Sequence, residues 1–204
     1  MLKYKCNLLK IICIFIIAIF LFPTICIASE SIYTWSNNAK PLTETIPTNA
    51  TTSLSLNVGS AVLIEQNSGQ VLYNQNMHEK LRPASVTKVM TILLIMEAID
   101  SGKLSYTDKI PCSEKAAGMG GSQIWLDVRE ELTVDEMLKA ICVVSANDCT
   151  VAMAEYLAGS EEAFVNQMNA KAKELGMNDT TFKNCHGIDE DGHVTSAYDI
   201  ALMS

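Results

Sequence analysis

Ser85 and Lys88 lie three positions apart, a spacing at which a hydroxyl and an amine can cooperate in catalysis. On a helix the two side chains share a face, so the amine can reach the hydroxyl. The lysine can accept the serine's proton only if burial or a nearby cation lowers its pKa and leaves it neutral. The pair therefore predicts a serine nucleophile that is activated by a lysine base.

A second polar motif, Ser145-Ala146-Asn147, follows sixty positions later. Its hydroxyl can relay a proton, and its amide can orient a substrate. The motif S-x-x-K, together with S-D-N and K-T-G, is the signature set of serine β-lactamases and penicillin-binding proteins. The first two elements are present here, the second with alanine in the middle, and neither Lys-Thr-Gly nor Lys-Ser-Gly follows Asn147.

The residues around Ser85 predict a buried helix. Pro83 supplies a stop before the serine, and an almost unbroken apolar run from Val89 to Met96 follows the lysine. A helix that is apolar on nearly all sides is buried, and an amine there is costly unless it has a function. This context disfavours the alternative in which Ser85 is a helix cap and Lys88 a solvated lysine. The start of such a helix also directs N–H groups and a positive dipole at the nucleophile.

Local signals predict the elements that position these motifs. Two β-rich runs on either side of Asn67-Ser68-Gly69 predict a hairpin. The predicted helices run from Ser85 to near Gly102, from the capping box Thr133-Val134-Asp135-Glu136 to about Val144, from Asp148 to Leu157, from the cap Ser160 to Gly176, and onward from Ser196.

From about Val58 to the end, the sequence resembles the D-alanyl-D-alanine carboxypeptidases, the low-molecular-mass penicillin-binding serine peptidases of family S11. The segments that carry the resemblance occur in the family's order: Arg82 to Lys88, Met119 to Ser122, Thr133 to Leu138, Ser145 to Asp148, His186 to Asp189 and Thr195 to Ala201. The resemblance covers only the first part of the family's catalytic domain. We therefore expect a fragment, truncated before the K-T-G strand and inactive alone.

The resemblance implies an α/β (α+β) fold of the β-lactamase/transpeptidase type, with an antiparallel sheet and a helical subdomain, whose C-terminal sheet strands this chain lacks. It implies that Ser85 attacks the bond between two D-alanines of a peptidoglycan stem peptide while Lys88 accepts the proton. Ser145 then passes the proton to the leaving D-alanine, and Asn147 binds the substrate amide and helps to position Lys88. It further implies β-lactam antibiotics as covalent inhibitors, and no cofactor or metal.

Two other functions remain open at this point. A serine β-lactamase of the same superfamily is disfavoured by Ala146, where those enzymes usually carry aspartate. A non-catalytic cell-wall-binding or penicillin-binding protein is the second alternative, because the K-T-G strand is missing.

The N-terminus predicts export. Three lysines are followed by an apolar run from Ile11 to Phe22, a break at Pro23, and a cleavage site at Cys26-Ile27-Ala28. We therefore predict a signal peptide over residues 1–28, a flexible Ser/Thr/Asn-rich spacer over 29–57, and the N-terminal part of the peptidase domain over 58–204. We expect an extracytoplasmic location, with membrane contact only through the signal peptide or through a C-terminal anchor beyond this sequence.

The net charge and the cysteines bear on which ligands and partners the protein can bind. After residue 28 the chain has 12 basic and 23 acidic residues, a net charge of −11, which argues against nucleic-acid binding. Four cysteines remain there, and Cys142 and Cys149 are expected to be small buried hydrophobic residues. Cys185, His186 and His193 lack the spacing of a zinc site, so no metal is predicted.

Overall fold

The computed structural model describes residues 56–204. The predicted signal peptide, and the predicted spacer except for its last two residues, lie outside this range. The elements in chain order are β1 (Ala61–Ile64), β2 (Val71–Gln75), a 3₁₀ turn (Ala84–Thr87), α1 (Lys88–Asp100), β3 (Lys109–Pro111), α2 (Glu114–Ala117), β4 (Glu131–Thr133), α3 (Val134–Val144), α4 (Asn147–Ala158), α5 (Glu161–Glu174) and α6 (Ala197–Met203).

The predicted hairpin is present. Strands β1 and β2 pair antiparallel, with Leu63 opposite Tyr73 and an irregularity after Leu63. The carboxylate of Glu65 closes the turn by accepting hydrogen bonds from the backbone N–H groups of Asn67 and Ser68. Helix α6 packs against β1, so the hairpin is supported by the far end of the described chain.

Helix α4 lies at the centre of the helical part of the molecule. It contacts α1, α2, α3 and α5, and every residue from Asn147 to Ala154 is buried. The helices on either side begin where the sequence predicts, because the capping box at Thr133 and the side-chain cap at Ser160 both form. The break between α3 and α4 consists of Ser145 and Ala146.

A second two-stranded sheet, formed by β3 and β4, was not predicted. Ile110 pairs with Leu132, and β4 runs directly into the capping box of α3. Strands of three residues are too short to display the alternation by which a strand is recognised in a sequence. The mixed architecture of helices and antiparallel strands is otherwise the fold class that the sequence predicts.

Helix α1 is less enclosed than its composition predicts. Apart from Lys88, its buried residues are Met90, Thr91 and Ile95, whereas Leu93 and its apolar neighbours are half-buried. The described residues therefore cover mainly the side of α1 that carries the lysine.

Within residues 56–204, none of the helices combines the length and the apolar character that crossing a membrane requires.

The cysteines follow the prediction only in part. All four within the described range are free thiols, and Cys149 is buried as expected. Cys142 is exposed, so the prediction of a buried residue was wrong there. It lies near the end of α3 beside Val143, which is itself 83% exposed, because this helix buries one face only.

Candidate active site

Ser85 and Lys88 are brought together by the start of α1. Ser85 is exposed within the 3₁₀ turn, and Lys88 is the first residue of the α-helix. The Nζ atom of Lys88 lies 3.4 Å from Ser85 Oγ, although the lysine is only 3% exposed. The solvent-exposed hydroxyl of Ser85 therefore faces the amine of Lys88, which is shielded from water.

Burial lowers the pKa of Lys88 to about 8. A negative charge on Cys185 would raise the pKa of Lys88. Burial, however, raises the pKa of that thiol well above its ordinary value, so the thiol carries no negative charge at neutral pH. With a pKa of about 8, roughly one amine in ten is neutral at pH 7. The site can thus supply an uncharged base near physiological pH.

The main-chain carbonyl of His186 accepts a hydrogen bond of 2.7 Å from Lys88 Nζ. His186 was not among the predicted site residues. A backbone carbonyl is present at every position, so no side-chain signal could have identified this contact. The His186–Gly187 pair within the family's segment was the available hint.

Gly187 lies directly against the backbone that precedes the nucleophile. Its φ of +92° suits glycine, and a Cβ at this position would overlap the carbonyl of Ala84. Ala84 itself has a φ of +46°, which is unusual for a residue with a side chain. The loop that binds Lys88 and the turn that carries Ser85 are therefore in close contact.

Ser145 occupies the break between α3 and α4 in a left-handed conformation, with φ of 60° and ψ of 39°. Its Oγ is buried and has no hydrogen-bond partner among residues 56–204. A left-handed residue with a side chain costs about 1–2 kcal/mol, and an unpaired buried hydroxyl adds to that cost. Such features concentrate at functional sites. The structure shows no direct hydrogen bond from Ser145 to Ser85 or Lys88.

Asn147 joins the start of α4 to the loop of residues 119–122, which contains Gly120 and Gly121. Its Nδ2 donates to the carbonyl of Gly120 at 2.8 Å, and its backbone N–H donates to the carbonyl of Ser122 at 2.7 Å. Gly121 packs so closely that a Cβ there would lie 2.9 Å from Asn147 Nδ2. The predicted contact of Asn147 with Lys88 is not among its hydrogen bonds.

Further hydrogen bonds fix the first turns of α1. The Thr87 hydroxyl lies 2.7 Å from Nε2 of His193, and Thr91 donates to the carbonyl of Cys185 at 2.7 Å. Nδ1 of His193 accepts from the backbone N–H of Lys183, so its Nε2 carries the proton in the neutral ring.

Within residues 56–204, no group of three or more His, Cys, Asp or Glu side chains is arranged to bind a metal ion.

Residues 47–204 match the family described as D-alanyl-D-alanine carboxypeptidase, Peptidase_S11. The chain belongs to this family. It is 58% identical to D-alanyl-D-alanine carboxypeptidase DacF of Bacillus subtilis over 154 residues, which are 76% of this chain and 40% of that protein. It is 39% identical to DacA of Escherichia coli over 150 residues, 71% of this chain and 37% of that protein. The chain thus spans about 40% of the length of these relatives.

Solved structures agree with this membership. D-alanyl-D-alanine carboxypeptidase DacD from Francisella tularensis superposes with a TM-score of 0.73 at 34% identity, covering 83% of this chain and 41% of that chain. Penicillin-binding protein D2 from Listeria monocytogenes, in its ampicillin-bound form, gives a TM-score of 0.65 at 29% identity, covering 74% and 62%. The family resemblance and the transpeptidase-like fold class read from the sequence are thereby confirmed.

Proposed function

We propose that the protein is a serine-type D-Ala-D-Ala carboxypeptidase that removes the terminal D-alanine from peptidoglycan stem peptides. The observation that carries this proposal is the contact between the exposed hydroxyl of Ser85 and the buried amine of Lys88, in a chain that belongs to this family. Relatives that bear this activity in their names support the reaction class.

In the proposed reaction, neutral Lys88 takes the proton of Ser85 while the serine oxygen bonds to the carbonyl carbon between the two D-alanines. The C–N bond then breaks, and the departing D-alanine nitrogen receives a proton relayed from Lys88 through Ser145. A water molecule attacks the acyl-serine ester and releases the shortened stem peptide. Each of these steps uses only proton transfers and acyl transfer.

The two residues at the break between α3 and α4 have separate roles in this proposal. Ser145 offers a hydroxyl that has no hydrogen-bond partner within the described range 56–204, and we propose that it serves the proton relay. Asn147 binds the substrate amide, and its bonds to Gly120 and Ser122 keep it in place. No metal or cofactor takes part.

We further propose an extracytoplasmic protein that meets its substrate in the cell wall after export by residues 1–28. The acidic composition fits this role and argues against nucleic acid as a partner. β-Lactam antibiotics are proposed as covalent inhibitors that acylate Ser85. The ampicillin-bound form of the related Listeria protein supports this proposal.

Covalent labelling of the full-length protein with a fluorescent penicillin tests the proposal. We expect a labelled band that disappears in Ser85→Ala, with the label recovered on the peptide that contains Ser85. Absence of labelling in the folded wild-type protein would favour the non-catalytic alternative. Rapid hydrolysis of nitrocefin would favour the β-lactamase, because a carboxypeptidase stays acylated.

A further inference from the structure

A buried carboxylate, that of Glu161, contacts the segment that holds Lys88. Its Oε1 accepts hydrogen bonds from the backbone N–H of Cys185 at 3.2 Å and from the Cys185 thiol at 3.3 Å. The same oxygen lies 3.4 Å from Nε2 of His186. Glu161 is the first residue of α5 and is 8% exposed.

Lys115 compensates the charge of Glu161. Its Nζ lies 2.6 Å from Oε2 of Glu161. The other carboxylate oxygen, Oε1, faces Cys185. Burial opposes ionisation of Glu161, but the bonds from Lys115 and Cys185 outweigh it and hold its pKa below the ordinary value. The carboxylate therefore remains an acceptor for the 185–186 segment.

The His186 ring is neutral and has a defined orientation. Burial lowers its pKa; the negative charge of Glu161 opposes this change, and the positive charge of Lys88 reinforces it, so the pKa lies below its ordinary value. Its Nδ1 accepts from the backbone N–H of Ile188 at 3.1 Å, so Nε2 carries the proton and faces Glu161. A hydrogen bond thus fixes Nδ1, and Nε2 has a longer contact of 3.4 Å with the carboxylate.

We propose that Glu161 is a positioning residue for the lysine base. By accepting a hydrogen bond from the Cys185 N–H and contacting the His186 ring, it sets the position of the His186 carbonyl and hence of Lys88 Nζ. The inference rests on the proposed function, since the position of this amine matters for catalysis only if it accepts the proton of Ser85.

The peptide at Cys185 is held from both sides, which is what such positioning requires. Thr91 of α1 donates to the Cys185 carbonyl, while Glu161 of α5 accepts from the Cys185 N–H. The next carbonyl along the chain is the one that binds Lys88. Loss of the Glu161 bond removes one of the two hydrogen bonds that hold the backbone of Cys185. A misplacement of about 1 Å can cost about a hundredfold in rate.

A cavity of about 390 Å³ gives experimental access to this arrangement. Its lining includes Lys115, Glu161 and His186. The side chain of Lys115 is 55% exposed, so the cavity can be reached from solvent. A small carboxylate such as acetate can therefore enter and replace a missing Glu161 side chain.

The test compares Glu161→Ala with Glu161→Gln and Asp135→Ala in the full-length protein. Asp135 forms an ion pair of the same length, 2.6 Å, with Lys139, but on the exposed surface of α3. The readouts are the rate of acylation by a fluorescent penicillin, and kcat and KM for a D-Ala-D-Ala peptide. Thermal unfolding of each variant monitors folding.

We expect Glu161→Ala to lower the acylation rate and kcat by about tenfold to a hundredfold with KM changed less than about twofold. Glu161→Gln keeps an oxygen for the Cys185 N–H and should stay within about threefold of wild type, as should Asp135→Ala. Sodium acetate should restore part of the Glu161→Ala rate, whereas sodium chloride of equal ionic strength should not.

Three results would overturn the inference: a wild-type rate in Glu161→Ala, equal losses in the Ala and Gln variants, or an effect on KM alone. If Glu161→Ala does not fold, Glu161→Asp replaces it. The aspartate side chain is one methylene shorter than glutamate, so we expect Glu161→Asp to be acylated slowly while Glu161→Gln is acylated at nearly the wild-type rate. A wild-type acylation rate in Glu161→Asp would again overturn the inference. Failure of the wild-type protein to label at Ser85 would instead reject the proposed function.

Discussion

Lys88 and His186 are 98 positions apart in the chain, and a hydrogen bond of 2.7 Å joins the amine of the first to the main-chain carbonyl of the second. A carbonyl can only accept, so Nζ directs an N–H at it in both the charged and the neutral state. The neutral amine then keeps its lone pair for Ser85 Oγ, 3.4 Å away. The contact therefore orients the base without requiring that it be charged.

The rate of Ser85 acylation is expected to rise with pH and to level off above about 8. Only the neutral amine of Lys88 can accept the proton, and burial lowers its pKa to about 8. Below that value, each pH unit changes the neutral fraction about tenfold. The rate of fluorescent-penicillin labelling, measured between about pH 6 and 10 at constant ionic strength, checks this dependence. A flat profile would exclude Lys88 as the base.

Lys88→Met is expected to abolish acylation and yet to stabilise the fold. The difference between a folded pKa of about 8 and the ordinary 10.5 corresponds to about 3 kcal/mol. Part of this gain is lost because the His186 carbonyl is left unpaired, so we expect a net increase of about 1–2 kcal/mol in the free energy of unfolding at pH 7.

The pH dependence of this stability difference supplies the check. Below pH 8 both the folded and the unfolded wild-type protein carry the ammonium, so the cost of burying it is complete. Between about 8 and 10.5 the folded protein releases the proton while the unfolded chain keeps it, and wild-type stability rises with pH. The advantage of Lys88→Met in urea unfolding should therefore shrink over that interval. An advantage that does not change with pH would contradict the proposed cost of burying the ammonium.

Local chemistry explains which parts of this fold could be predicted from the sequence. The capping box at Thr133, the cap at Ser160 and the turn after Glu65 depend on residues within a few positions of one another, and all of them form. The interruption at Ser145 was predicted for the same reason. The Ser85–Lys88 contact follows from helical spacing and needs no tertiary information.

Tertiary contacts account for what the sequence did not reveal. The pairing of β3 with β4 depends on residues about twenty positions apart in strands of three residues. The carbonyl of His186 reaches Lys88 only through the packing of a distant loop on α1. The exposure of Cys142 depends on which face of α3 meets α4, a choice that its apolar neighbours do not specify.

Ser145→Gly is expected to separate stability from function. Glycine adopts the left-handed conformation without the cost that serine bears, and the buried Oγ has no partner to lose among the described residues. We therefore expect a gain of about 1 kcal/mol in the free energy of unfolding. Loss of the proton relay should slow turnover of a D-Ala-D-Ala peptide by about a hundredfold.

Arg129→Gly is the matched control for this variant. Arg129 also has a left-handed backbone, with a φ of 71°, but its side chain is exposed. It should gain similar stability in urea unfolding while turnover stays at the wild-type rate. Equal turnover in the Ser145 and Arg129 variants would rule out the relay.

Gly187→Ala is expected to damage both the fold and the nucleophile, in contrast to Gly102→Ala. Both glycines have positive φ, 92° and 71°, so alanine costs about 1 kcal/mol at either position. Nothing lies within 4 Å of a Cβ at Gly102, whereas at Gly187 the Cβ would overlap the carbonyl of Ala84 and approach the backbone nitrogen of Ser85. Relief of that overlap must displace either the loop that binds Lys88 or the turn that carries Ser85. We therefore expect Gly187→Ala to lose about 3 kcal/mol or more of the free energy of unfolding in urea, and to be acylated slowly even when folded.

Gly102→Ala should keep the wild-type acylation rate. Equal effects of the two substitutions would show that the close approach of Gly187 to Ala84 does not constrain the site.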